Sequence, residues 1–231
     1  MSLLTICQAA CGASGFAVPS TIIGNSDNTA IMLLRLLNKS GKQRAKYPWQ
    51  ALQKEYTFNL ANGTATYAFP SDLGFFENET FWDRTQFWNL RGSLSPQEWQ
   101  IYKSGIQSTT PRQRFRIKGN LINIDPTPTT TDSVVIEYVS SKWVTDGSSF
   151  FTSFTSDTQT SLIDEDLLEL DLTWRFLERK GLAYAEARDE ADRFAEKLLA
   201  RDIPKKTIDF GAPNAAIFPP LPTLPTTGYT G

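Results

Sequence analysis

The spacing of apolar residues changes period twice along the chain, from helical to alternating near Tyr56 and back to helical near Asp164. Leu3 to Cys11 predicts a short helix with Cys7 and Cys11 on one face, where they read as small core residues rather than a disulfide. Asp27 or Asn28 then caps a second helix in which Ala30, Leu33, Leu34 and Leu37 recur at helical spacing, and Pro48 closes it. From Tyr56 the alternation Tyr56, Phe58, Leu60 and then Thr64 to Phe69 predicts a hairpin across Asn62-Gly63, ended by Pro70-Ser71-Asp72. Phe75 to Trp88 predicts a further strand pair. Ser95-Pro96-Gln97-Glu98 supplies a cap, a first-turn proline and a carboxylate, so a helix should run to about Ser104 and bury Trp99 and Tyr102. Arg112–Lys118 and Leu121–Ile124 predict a second hairpin across Gly119-Asn120, and Val134–Val139 another strand. Ser148 to Thr160 reads as a loop or edge strand whose low charge suits contact with a neighbouring chain.

Regular helix resumes with Asp164, Glu165 and Asp166, which load its first turn with negative charge. Leu167, Leu170, Trp174 and Leu177 make one apolar stripe and Leu168, Leu172 and Phe176 another, so this helix should be buried on two sides. After Gly181, a final helix carries Ala187, Ala191, Phe194, Ala195, Leu198 and Leu199 on a face able to approach another helix closely. The prolines Pro204, Pro213, Pro219, Pro220, Pro222 and Pro225 then exclude helix or central strand. The resulting fold class is α+β: a discontinuous helical bundle from both chain ends, residues 1–54 and 161–202, with an inserted antiparallel β-rich domain, 55–160, and an extended C-terminal arm, 203–231. The arm's anchors Ile208, Phe210, Ile217, Phe218, Leu221, Leu224 and Tyr229 are too apolar for an ordinary tail. Burying them does not offset the entropy of fixing so long a segment, so the arm is expected to be mobile in the free subunit and to order only in an assembly.

Composition narrows the chemistry. The chain has no histidine, which removes the commonest general base, triad partner and zinc ligand. Its 23 Lys and Arg against 25 Asp and Glu give no basic excess for a dedicated nucleic-acid binder. The absence of a long apolar run or signal-peptide pattern leads to the expectation of a soluble protein made in a cytoplasm. Lys39, Lys42, Arg44 and Lys46 are expected to be a solvated helix terminus, and Asp164, Glu165, Asp166 and Glu169 helix-terminal charge rather than a metal site. Arg112, Arg114, Arg116 and Lys118 form a basic strand face, the best candidate for DNA contact, although without stacking partners such a face ordinarily meets solvent or a subunit. Phe81, Trp82, Phe87 and Trp88 should pack as core; if exposed, they would suit a receptor- or carbohydrate-binding tail module. For a carboxylate-based glycoside hydrolase only Asp72, Glu79 and Asp83 could be named, and their spacing shows no paired acid and base.

Three ordered stretches carry a resemblance. They are Trp49-x-x-Leu52-x-x-x-Tyr56-x-Phe58; Tyr67-Ala68-Phe69-Pro70-x-Asp72-Leu73; and Gly92-x-Leu94-Ser95-Pro96-Gln97-Glu98-Trp99. The pattern continues through Phe115 to Pro128, Glu137-Tyr138-Val139-Ser140-x-x-Trp143-Val144, Asp166-Leu167-Leu168, Trp174 and Gly181-Leu182-x-Tyr184-Ala185. The chain thereby resembles the head-to-tail adaptor, or connector-ring, proteins of tailed bacteriophages over roughly Leu33 to Leu199. That resemblance implies a structural virion protein at the head-tail interface, assembled in the host cytoplasm, without catalysis or cofactor. It also implies a self-associated ring, usually dodecameric, between the portal protein and the tail nozzle or fibres, with transient contact to passing DNA and none to membrane. In this frame the arm's seven anchors hold the portal, and the stripe Leu168, Leu172 and Phe176 meets the next subunit.

Overall fold

The computed structural model describes residues 1–104 and 113–202. Helix α1 (Leu3–Ala13) starts at Ser2, whose hydroxyl accepts from the Thr5 amide, and α2 (Asn28–Arg44) starts at Asp27. A single 3-10 turn, Gln50–Leu52, leads into strand β1 (Gln53–Asn59). The β-rich middle follows with β2 (Thr66–Ala68), β3 (Leu73–Phe76), β4 (Trp82–Asp83), β5 (Trp88–Asn89), helix α3 (Pro96–Lys103), β6 (Arg114–Lys118), β7 (Leu121–Asp125), β8 (Ser133–Ser140), β9 (Val144–Thr145), β10 (Phe150–Phe151) and β11 (Thr160–Ser161). Helices α4 (Glu165–Lys180) and α5 (Ala185–Asp202) complete an α+β architecture with antiparallel sheets.

Local signals set the helix ends. The Ser95 hydroxyl accepts from the Glu98 amide at 3.2 Å while the Glu98 carboxylate accepts from the Ser95 amide at 2.9 Å, a reciprocal capping box that starts α3 and buries Trp99 and Tyr102. Asp164 caps α4 by accepting from the Leu167 amide at 3.1 Å, and Gly181 ends it at φ 72°, where a side chain would be strained.

The strand order departs from the expected hairpin over 56–69. All seven residues of β1 pair with β8, while the three residues of β2 pair with β7 in a different sheet. A turn does form, the Thr64 amide donating to the Ala61 carbonyl at 3.0 Å, but the Leu60 amide goes to the Asp132 carbonyl and the Gly63 amide to the Pro128 carbonyl. The loop before β8 thus takes the donors a hairpin would have used, because β8 offers a longer apolar partner than β2 does. The second hairpin, β6 with β7, forms as the alternation implies, and β4 pairs with β5, while β3 joins the far edge of β8.

Two apolar clusters result. The first joins Leu3, Ile6, Cys7, Leu33, Leu37, Leu52, Leu167, Leu172 and Phe176 to Val139, Trp143, Val144, Phe154 and Ile163. The second holds Phe58, Leu60, Phe81, Leu90, Phe115, Ile122, Ile124, Val134 and Ile136. β8 therefore supplies both, and Trp143, Val144, Phe154 and Ile163 from the segment after it pack with the helices. Phe154 meets the Trp143 ring edge-on at 5.1 Å and is buried with Gln159, while most of Ser148–Thr160 stays exposed or half-buried and its strands β10 and β11 form the two edges of their sheet, as a loop or edge strand should. Gly41 leaves room for the indole, since a Cβ there would lie 2.1 Å from the Trp143 ring.

Candidate functional site

The sites expected from sequence meet the structure unevenly. Arm residues Ile208, Phe210, Ile217, Phe218, Leu221, Leu224 and Tyr229, and Arg112 of the basic strand, lie outside the described residues. Leu168, Leu172 and Phe176 are corrected. Each has no exposed surface and sits in the first cluster, because α4 is covered on successive faces by α1, α2 and α5, so none is available to a neighbour in this fold. The half-buried apolar residues of α4 are instead Leu170, Trp174 and Leu177, and the Trp174 ring lies 6.4 Å from Tyr184 with the Arg175 guanidinium over it at 4.3 Å.

Arg44 is also corrected. It is not part of a solvated terminus: its Nε and Nη2 donate to the two oxygens of Asp171 at 2.6 and 2.7 Å, and Nη2 reaches Asp192 at 3.2 Å. Asp171 has no exposed surface, and it also accepts from the Ser40 hydroxyl at 2.8 Å and the Trp174 indole at 3.1 Å. Burial pushes the Asp171 carboxyl up, but the hydrogen bonds and charge of Arg44, with Ser40 and Trp174, outweigh it and hold the group below its ordinary range. The bond to Asp171 likewise raises Arg44. The node locks α2, α4 and α5 into one body. Its signal was an Asp set between the apolar stripes of α4, four residues after Leu167 and one before Leu172.

A second carboxylate does similar work among the strands. Asp72 accepts from Lys54 at 3.0 Å, Ser140 at 2.8 Å and Tyr138 at 2.9 Å, tying the entry of β3 to β1 and β8. Burial raises its pKa, and the Lys54, Ser140 and Tyr138 bonds more than reverse that. Burial and the Asp72 bond push Tyr138 up to about 12. Asp83 is buried, and one oxygen accepts from the Thr85 and Gln86 amides at 2.8 and 2.9 Å. Burial raises this carboxyl despite those two bonds. With Asp72 and Asp83 each bound to the protein itself, neither is presented to a substrate as a glycosidase pair would be. Among the described residues no group of three His, Cys, Asp or Glu side chains could hold a metal ion.

A family model described as SU10 adaptor protein matches residues 12–216. The chain belongs to this family of phage head-to-tail adaptors. No curated protein matches the chain. Membership makes the chain a structural component of a phage and points away from catalysis. No helix among the described residues of this SU10 adaptor is long and apolar enough to cross a membrane.

The surface of the SU10 adaptor singles out a few places for partners. Of the aromatics Phe81, Trp82, Phe87 and Trp88, Phe81 is core, the two tryptophans are half-buried, and Phe87 stands 84% exposed at φ 58° on the β4–β5 turn. That turn is braced by the Thr85 hydroxyl accepting from the Ser133 amide at 2.9 Å and by Gln86 donating to Asp132 at 3.1 Å. On the β6 face Arg114 and Arg116 are half-buried and Lys118 is exposed. The Arg114 guanidinium stacks on the buried Tyr102 ring at 4.4 Å, which ties the strand to α3 and offers no exposed ring to a base.

Proposed function

We propose that this SU10 adaptor is a ring subunit joining the portal to the tail nozzle or fibres and forming part of the DNA channel. The helical body, 1–54 with 161–202, would build the wall, the β-rich insertion would face the tail, and segment 203–231 would hold the portal through Ile208, Phe210, Ile217, Phe218, Leu221, Leu224 and Tyr229. The basic face Arg114, Arg116 and Lys118, with Arg112, would meet the tail or passing DNA. Supporting this reading above all, the family match runs through both helical portions and the insertion and continues past Asp202 into the first part of that segment. A folded body continued by a strip of spaced apolar anchors suits attachment to a partner by an extended segment.

The test compares the full chain with one ending at Asp202 for capture by purified portal rings and for genome retention in particles. The full chain should bind and the shortened chain should not, while keeping its helical content. Equal binding by both would remove the arm from the portal contact, and binding by neither would remove the adaptor from beneath the portal.

A further inference from the structure

Charge is divided sharply within the helical body. From Asn28 to Lys54 there are six Lys or Arg and no Asp or Glu, whereas from Asp164 to Asp202 there are twelve acidic residues against seven basic. Arg44 is consumed by the Asp171 node. The remaining cations of the first segment's helix, Arg35, Lys39 and Lys42, with Lys46 just beyond it, follow at helical spacing on one exposed face. None of the four makes a salt bridge among the described residues. In the turn of α2 just before them Ile31 and Leu34 remain only half-buried.

The C-terminal helices carry the complement. Leu170 of α4 and Phe194 of α5 line a groove of about 410 Å³ flanked by Glu186 and Glu190, with Arg193 and Lys197 on its wall. Arg193 folds back, its Nε donating to the Asp189 carbonyl at 3.1 Å. Asp166 and Glu169 stand in the turn of α4 just before Leu170, and neither makes a salt bridge among the described residues.

We propose that the α2 face of one copy docks into the α4–α5 groove of the next, Ile31 and Leu34 meeting Leu170 and Phe194 while Arg35, Lys39 and Lys42 meet Asp166, Glu169, Glu186 and Glu190. The contact joins two different faces and is therefore heterologous, the kind that closes into a ring. This deepens the adaptor reading and rests on it for the claim that copies associate. A second copy fits the face better than DNA does, because phosphates have no use for apolar residues adjoining the cations and because the net charge of −2 opposes a polyanion.

Sedimentation velocity of the full chain at low and high salt tests the contact. Wild type should self-associate at low salt and dissociate as salt rises. Lys39→Glu with Lys42→Glu, and separately Glu186→Lys with Glu190→Lys, should each weaken association by about a hundredfold. Mixing the two charge-reversed variants should restore it, which no folding defect would imitate. A wild type that stays monomeric, or variants that associate like wild type, or a mixture that stays apart, each overturns the contact. Portal capture by the same proteins then shows whether the adaptor reading survives that failure. Charge reversals in α2 that abolish retention on duplex DNA while leaving self-association intact would assign the face to nucleic acid and overturn the proposal as well.

Discussion

Both halves of this adaptor place a carboxylate where three elements meet, and they differ in how much water those carboxylates keep. Asp171 is sealed between α2, α4 and α5, and its partner Arg44 keeps only 11% of its side-chain surface. Asp72 keeps 12% and Lys54 keeps 31%, and two of its bonds come from neutral hydroxyls. In the helical body the ion pair is an all-or-nothing lock, because a charge left alone there has no water to turn to. In the β-rich half the same geometry is a softer tie that solvent can partly replace.

Four changes would break or sharpen that contrast. The largest effect should come from Asp171→Ala, which strands Arg44 in the interior and should destabilise the fold by about 3–5 kcal/mol in chemical denaturation. A loss below about 1 kcal/mol would show that the bond to Asp192, together with solvent, is enough to hold Arg44. Next, Gly41→Ala drives a methyl group into the Trp143 ring and should remove about 1–3 kcal/mol. Asp72→Asn should remove about 1–2 kcal/mol at neutral pH, since it weakens the bond to Lys54 and sets an amide against two hydroxyls.

The acid limb follows from the sign of the shifts. Asp171 and Asp72 are both held below their ordinary range in the fold, so their contribution is complete above the unfolded carboxylate range. It is lost as pH falls through the folded values. Asp72→Asn should therefore flatten the stability-versus-pH curve below about pH 4; a curve that stays parallel to wild type would remove Asp72 from the acid response. The smallest effect belongs to Phe87→Gly. Relief of positive φ and removal of an exposed ring should leave thermal stability unchanged or raise it by less than about 1 kcal/mol. A clear loss would show that the ring packs on the protein after all.

Much of the secondary structure was legible because its signals are local. The Ser95–Glu98 capping box, the Asp164 cap, the Gly181 terminator and the β6–β7 alternation each act over a handful of residues. The hairpin expected between β1 and β2 failed for the converse reason: Asn62-Gly63 permits a turn but says nothing about which strand competes for Tyr56 and Phe58. The stripes of α4 were visible as stripes, yet whether Leu168, Leu172 and Phe176 faced the chain's own helices or another copy depended on where α1 and α2 came to rest. Arg44 looked like one more cation at a helix end until Asp171, far along the chain, was brought against it.

The sequence alone determined the α+β class, the helix ends, the lack of histidine chemistry and membership of the adaptor family, since each depends on residue type and short spacing. Only the tertiary structure decided which apolar stripes were already satisfied, which charges were neutralised inside, and which faces were left over. Burial and ion pairing are relations between residues remote in sequence, and no period along the chain records its partner.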